Sequence, residues 1–310
     1  MSEPREIPTY YDLPTLKAPV WRWEIWLYFF LGGLAGAAYA IAGLATLFGG
    51  GRARRIERAG YLVAFLTVLP CPPLLIKDLG RPRLFLNMLR VFKPESPMSV
   101  GVWGLLGFSG FATLAFLREA ALALGGPLAG LARLVPQKAL APAGSAFAFF
   151  LAGYTGVLLS VTSVPLWSKS FLLAPTFLAS SFASAASAIA LALTGRGDVP
   201  REEIQQIETL KRVAVAAEVA ALGGYLLQEG GAAKPLLDPS VHGRPFLGGA
   251  LGLGILLPLA LSLGGHSRGR IVVTSLLSLL GGLALRYAVV MGGHASAANP
   301  RTYLDWTRKE

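Results

Sequence analysis

The chain has 310 residues, of which 54% are hydrophobic and 15% are charged, and this composition favours a membrane protein over a soluble globular fold. The formal net charge is +11, but the Lys and Arg residues lie mainly between long apolar runs. That placement is typical of a protein held among anionic lipids, so we predict a lipid partner and no nucleic-acid binding.

The apolar runs predict an all-α polytopic membrane protein with about eight transmembrane helices. About 20 apolar residues span the hydrocarbon core as a helix. The runs of that kind lie at 25–48, 59–76, 99–118, 144–163, 171–194, 211–228, 246–264 and 271–292. The residues before the first run are polar and contain prolines, so we expect no cleavable signal peptide and a retained first helix.

The second run is short and ends in Pro70, Pro72 and Pro73. Proline removes a helical hydrogen bond, which a membrane tolerates only where neighbouring groups or water satisfy the freed carbonyl. We therefore predict a break or kink at this point. Small residues recur along 32–43 and 180–190, which lets helices approach closely in a compact bundle.

The connections alternate between two faces. The terminal face carries both termini and the loops near 77–98, 164–170 and 229–245. Lys and Arg are almost equally divided between the faces, but short loops orient a protein more reliably, and two short basic loops, 51–58 and 267–270, lie on the opposite face. We expect the opposite face to be cytoplasmic and the termini non-cytoplasmic, in the inner membrane of a bacterium or archaeon.

The most informative stretch connects the second and third runs. It reads KDLGRP at 77–82, RLFLNM at 83–88 and SPMSVGVW at 96–103. The pattern predicts a helix that ends at charged residues, then a turn, and then a second helix that enters the membrane with an aromatic residue at the interface. An ordinary surface loop in which Asp78 and Arg81 neutralise each other is the alternative interpretation.

This stretch resembles the loop between helices two and three of the NrfD/PsrC family of polysulfide reductase-type membrane anchor subunits. Three other places agree with the resemblance, which covers nearly all of the sequence. They are WEI at 23–25, YTGVLLS at 154–160 with VPLW at 164–167, and LRY at 285–287 before two glycines at 292–293.

The resemblance implies two four-helix bundles that bind a quinone, menaquinone or ubiquinone, without haem or metal. It divides the sequence into an extramembrane segment at 1–24, a first bundle with the quinone site at 25–163, a second bundle at 164–292 and a tail at 293–310. It also implies a docked ferredoxin-like subunit with four iron–sulfur clusters, and a molybdopterin or other catalytic subunit beyond it.

Helix depth supports a site at the terminal face independently of the resemblance. Several polar and aromatic residues converge there: Glu24, Tyr28, Asp78, Arg81, Trp103, Ser160, Thr162 and Trp167. Tyr154 lies roughly 12 Å deeper than Thr162. A phenol, carboxylates and an arginine around an apolar slot could bond the two carbonyls of a quinone and carry its protons.

The predicted quinone-binding set is Tyr154, Glu24, Tyr28, Asp78, Arg81, Trp103 and Thr155. We expect Tyr154 to donate to one carbonyl, Glu24 or Asp78 to handle protons, and Arg81 to hold a carboxylate or the partner subunit. A packing role for Tyr154 and an interfacial role for Glu24 are the alternatives. Some relatives bind quinone with Asn and His near the start of helix one, where this sequence has Trp23, Glu24 and Tyr28.

Glu218 and Arg286 are the ionisable residues deepest inside the predicted spans. Each costs about 2.5–3.5 kcal/mol there unless it is paired or hydrated. A depth offset of roughly 12 Å disfavours a direct ion pair between them. They are predicted to lie on a hydrated proton path, with local pairing to hydroxyl or carbonyl groups as the alternative.

The sequence offers few metal ligands. Cys71 is the single cysteine, and the three histidines, His242, His266 and His294, fall in a loop or at helix ends. A dihaem cytochrome b anchor needs histidines facing each other inside helices, and zinc sites need more ligands, so both are disfavoured. Any iron–sulfur cluster must belong to a partner.

Two other functions remain open on the sequence alone. A secondary transporter or ion channel could use Glu218, Arg286 and the broken second helix to line a substrate path. It would show uptake by the isolated protein, whereas electron transfer requires a partner and quinone-dependent turnover. A purely structural anchor would differ only in lacking quinone contacts.

Overall fold

The computed structural model describes residues 16–17, 19–168, 170–195, 200–239, 242–262 and 267–299. Within these residues all regular structure is helical. The helices are α1 Trp23–Phe48, α2 Arg54–Val68, α3 Cys71–Asp78, α4 Phe85–Arg90, α5 Pro97–Leu124, α6 Gly126–Leu134, α7 Gln137–Ser160, α8 Leu173–Thr194, α9 Arg201–Glu229, α10 Lys234–Leu237, α11 Arg244–Ser262 and α12 Arg268–Ala298.

The predicted all-α fold class is confirmed, because each predicted span falls mainly on a helix within the described residues. Residues 263–264 of the seventh span lie outside them. Seven helical segments in the described part of the protein are long and apolar enough to cross a membrane, with α2 and α3 counted as one. The helix outside this set is α9, which holds the predicted span at 211–228. Its 29 residues include buried Glu208, Lys211 and Glu218, which lower its hydropathy.

The predicted break in the second span is also confirmed. Helix α2 ends at Val68 and α3 begins at Cys71, with Pro70 between them. The thiol of Cys71 is fully buried and bonds the carbonyl of Thr67 at 3.4 Å. After α3 the backbone turns at Gly80, whose φ of +66° is in the left-handed region that favours glycine. This turn lays α4 across the end of the bundle.

Helix α1 is the centre of the packing. Its sequence is rich in Ala and Gly, and 78% of its apolar window is buried. Helices α1, α2, α5 and α7 pack in a ring, while α8 packs on α9 and α12, and α12 on α11. Helix α8 also contacts α1 and α7, which joins the two groups of four helices. The division of the protein near residue 163 stays a prediction.

Helix α12 continues past Gly292 and Gly293 to Ala298, so residues 293–298 of the predicted tail are helical. Bulky side chains fill the space beside these two glycines, so a larger residue at either position would overlap a neighbour. A Cβ at Gly293 would overlap the ring of Trp167, whose Nε1 donates to the carbonyl of Val289 at 2.8 Å.

Candidate functional site

A cavity lies between α1, α3, α4, α5 and α7 at the terminal-face end of these helices. Its empty space of about 580 Å³ includes open solvent. The lining residues are Trp21, Ile25, Tyr28, Phe29, Leu75, Asp78, Leu79, Phe85, Met88, Met98, Gly101, Val102, Tyr154 and Leu158. Most of this wall is apolar, and its polar groups are two phenols and one carboxylate.

Tyr154 of α7 is held at the wall by α5. Its hydroxyl donates to the carbonyl of Pro97 at 2.5 Å, and the side chain is only 6% exposed. Gly101 makes room for the phenol, because a Cβ at that position would overlap its oxygen. The ring also stacks on Phe150, with 4.9 Å between centroids. This phenol is therefore fixed in place by two helices.

Tyr28 of α1 faces the same cavity and is 2% exposed. A Cβ at Gly32 would lie 3.4 Å from its ring and 3.9 Å from the Sγ of Cys71, so the ring and the thiol lie close together. Phe29 follows it and contacts Trp21 edge-to-face at 6.0 Å. Two hydroxyl groups from different helices thus border one apolar space.

Two carboxylates lie near each other at this end of the protein. Asp78 ends α3 and lines the cavity, while Glu24 begins α1 and lies close to Asp78 without lining the cavity. Glu24 is 6% exposed, and its Oε1 lies 3.4 Å from Nζ of Lys77. Its Oε2 is buried and has no hydrogen-bond partner among the described residues. An acidic pair with one free buried oxygen can take up a proton or a hydrogen bond.

The other predicted site residues lie outside the cavity wall. Arg81 is exposed in the turn after α3, and Trp103 is 36% exposed and contacts Phe92 edge-to-face at 6.1 Å. Thr155 is fully buried, and its hydroxyl has no hydrogen-bond partner in the part of the protein that the structure describes.

Sequence reasoning missed several wall residues, among them Trp21, Met98 and Leu158. Trp21 stacks on Trp167 with 5.4 Å between centroids and so closes one side of the cavity. Phe85 and Met88 of α4 also line it, and they belong to the RLFLNM stretch. The three-residue spacing of Phe85 and Met88 was a signal in the sequence for a helix that covers the site.

Arg286 and Glu218 lie deeper, among α8, α9 and α12. Arg286 is 1% exposed; its Nη2 donates to the carbonyl of Phe177 at 2.8 Å and to Ser181 at 3.0 Å. Glu218 faces Ser180 and interacts electrostatically with Arg286. The ion pairs of the described residues include none between them.

The sequence matches the family described as "Polysulphide reductase, NrfD" over residues 13–298. The protein belongs to the NrfD family. It is also 29% identical to the C subunit of polysulfide reductase from Wolinella succinogenes, in an alignment that covers 88% of this protein and 94% of that one. The NrfD match includes every helix described above and every residue of the cavity wall, so the predicted family is confirmed along the whole membrane region.

Proposed function

We propose that this NrfD-family protein is the quinone-binding membrane subunit of a multi-subunit oxidoreductase. The observation that carries the proposal is the cavity itself, which joins Tyr28, Tyr154 and Asp78 around an otherwise apolar space. Ligand pockets commonly combine an apolar wall with a few convergent polar groups. Quinone, menaquinone or ubiquinone, fits such a site because it is a flat apolar ring with two carbonyl acceptors.

In this proposal each polar group of the site has its own role. Tyr28 supplies one hydroxyl donor, and Tyr154 supplies a second when its single O–H turns from the carbonyl of Pro97 to the quinone. The buried positions of both phenols orient them. Asp78 or Glu24 handles the protons, and Nζ of Lys77 lies 3.4 Å from Oε1 of Glu24. A bound quinone would supply the two-electron, two-proton redox chemistry. Arg81 acts at the surface, and Trp103 at the lipid interface.

The partners are proposed from the loop that covers the cavity. Lys77, Arg81, Arg83, Arg90 and Lys93 are exposed or partly exposed along it. A ferredoxin-like subunit with four iron–sulfur clusters would dock on this basic surface and connect the protein to a molybdopterin or other catalytic subunit. The similarity to the polysulfide reductase C subunit supports a place in a reductase complex.

A hydrated proton path through Glu218 and Arg286 is the second part of the proposal. Among the described residues, Nε and Nη1 of Arg286 and the hydroxyls of Ser275 and Ser278 are buried without hydrogen-bond partners. Buried polar groups of this kind are commonly satisfied by water. A water-filled route would fit the depth at which these residues lie.

The deciding experiment is to purify the protein with whatever co-purifies and to measure quinone and iron together. We expect an iron–sulfur partner and about one quinone per NrfD subunit. Tyr154→Phe and Asp78→Asn should lower bound quinone and quinol turnover roughly tenfold, because each removes a buried hydrogen-bonding or proton-accepting group. Val161→Ala, at an exposed position after α7, is the control. A protein that contains neither quinone nor iron and takes up a solute by itself would replace this proposal with transport.

A further inference from the structure

A second apolar hollow lies on the outer surface where α5 and α7 meet. This outer groove has about 640 Å³ of empty space, and its lining residues are Phe92, Val100, Gly104, Ala146, Phe147 and Phe150. The cavity at Tyr154 uses other residues of the same two helices. The cavity and the outer groove therefore lie on two sides of one helix seam.

The seam is closed by aromatic rings that rest on glycines. Three glycines of α5, spaced three residues apart, each leave room for a ring of α7, and a Cβ at any of them would overlap that ring. The pairs, in order from the cavity to the groove, are Tyr154 on Gly101, Phe150 on Gly104 and Phe147 on Gly107. The boundary between the cavity and the outer groove is therefore made of side chains, which can change rotamer.

On α7 the wall of the outer groove lies deeper than that of the cavity, whereas on α5 Val100 of the groove adjoins Gly101 of the cavity. Along α7, Phe147 is about seven residues further from the terminal-face end than Tyr154, which corresponds to about 10 Å. A ligand with its polar ring at Tyr154 and its apolar tail in the groove would match this gradient from interface to hydrocarbon.

A respiratory quinone has a polyprenyl tail that is longer than its ring. A quinone whose ring lies in the cavity therefore needs an exit for its tail. The outer groove offers six apolar residues next to the cavity, and two of them, Phe92 and Phe147, are exposed. Since lipid tails are as apolar as the groove, its contribution is to direct the polyprenyl tail rather than to supply affinity.

We propose that the outer groove receives the polyprenyl tail of the quinone, and that the Phe150 ring on Gly104 is the movable boundary the tail passes. This inference rests on the proposed quinone function. It adds a subsite and a route between α5 and α7, and it predicts discrimination by tail length.

The test fills the groove without touching the cavity. Ala146 is exposed and lines only the groove, so Ala146→Trp should obstruct it. Leu106→Trp is the matched control, because Leu106 lies on α5, is 48% exposed and lines neither hollow. The purified complex, with its co-purifying subunits, would be assayed for dye reduction by a long-tailed menaquinol and by menadiol, and then by the corresponding ubiquinol pair.

We expect Ala146→Trp to raise KM for the long-tailed quinol severalfold and to leave the tailless quinol unchanged, with Leu106→Trp like the wild type on both. An unchanged ratio between the two quinols would overturn the inference and assign the groove to bulk lipid. An equal loss on both would overturn it as well, because the tryptophan would then disturb the ring site. Wild-type complex that neither oxidises these quinols nor reduces the corresponding quinones would instead refute the proposed function.

Discussion

Because Gly101 has no side chain, the phenol of Tyr154 can lie against it. A methyl group there would overlap the phenol oxygen, so Gly101→Ala should displace the ring and break its bond to Pro97. We expect quinol turnover to fall roughly tenfold, with a loss of about 1–3 kcal/mol of stability from overpacking. Steady-state kinetics of the purified complex and thermal unfolding would measure the two effects.

Gly110→Ala supplies the matched control for this substitution. Gly110 lies on the same helix, and a Cβ there would meet no atom within 4 Å. Turnover that falls equally in both variants would mean that helix α5 tolerates no substitution, and that the position of Tyr154 is not the cause.

The candidate site could be predicted from the sequence in part. Tyr28, Tyr154 and Asp78 share a cavity because depth along a helix follows from residue number alone. Thr155 and Trp103 lie elsewhere because successive helical residues point about 100° apart, and the direction each faces depends on neighbouring helices. Trp21 lay outside the predicted spans, so no pattern marked it.

Among the helices, the apolar runs and the three prolines predicted the spans and the break well, because both depend on local chemistry. The covering helix α4 and the contacts between helix ends depend on distant parts of the sequence. The clearest case is Glu203 of α9. Its Oε2 accepts hydrogen bonds from the backbone nitrogens of Arg55 and Ile56, each at 3.2 Å, at the start of α2.

Glu203 thus serves as a cap for α2 that comes from 147 residues away. A carboxylate at a helix N-terminus satisfies free N–H groups and complements the helix dipole. We expect Glu203→Ala to lower the free energy of unfolding by about 1–2 kcal/mol, measured by thermal unfolding in detergent. Glu202→Ala, at the adjacent exposed position, should have little effect. Equal losses in the two variants would argue against the cap.

At the scale of the whole molecule, the basic loop between α3 and α5 marks the end of the helix bundle at which we expect the iron–sulfur subunit to dock. Arg83→Glu combined with Arg90→Glu reverses two exposed charges beside the cavity. We expect the iron that co-purifies with the protein to fall severalfold, with a deficit that grows at higher ionic strength, because exposed charge pairs are screened by salt.

Arg133→Glu is the control for the loop variant, since Arg133 is exposed on α6 at the opposite ends of α5 and α7. The expected iron content is that of the wild type. A partner lost from Arg133→Glu but retained by the loop variant would move the docking surface to the opposite face.

The burial of Cys71 has a practical consequence for mapping this protein. The sequence contains no other thiol, and this one is enclosed at the start of α3. Arg83→Cys or Arg52→Cys, each at an exposed position, would therefore introduce the single accessible labelling position in an otherwise native protein. Membrane-impermeant maleimides applied to intact cells and to inverted vesicles would then report directly which face of the bundle meets the cytoplasm.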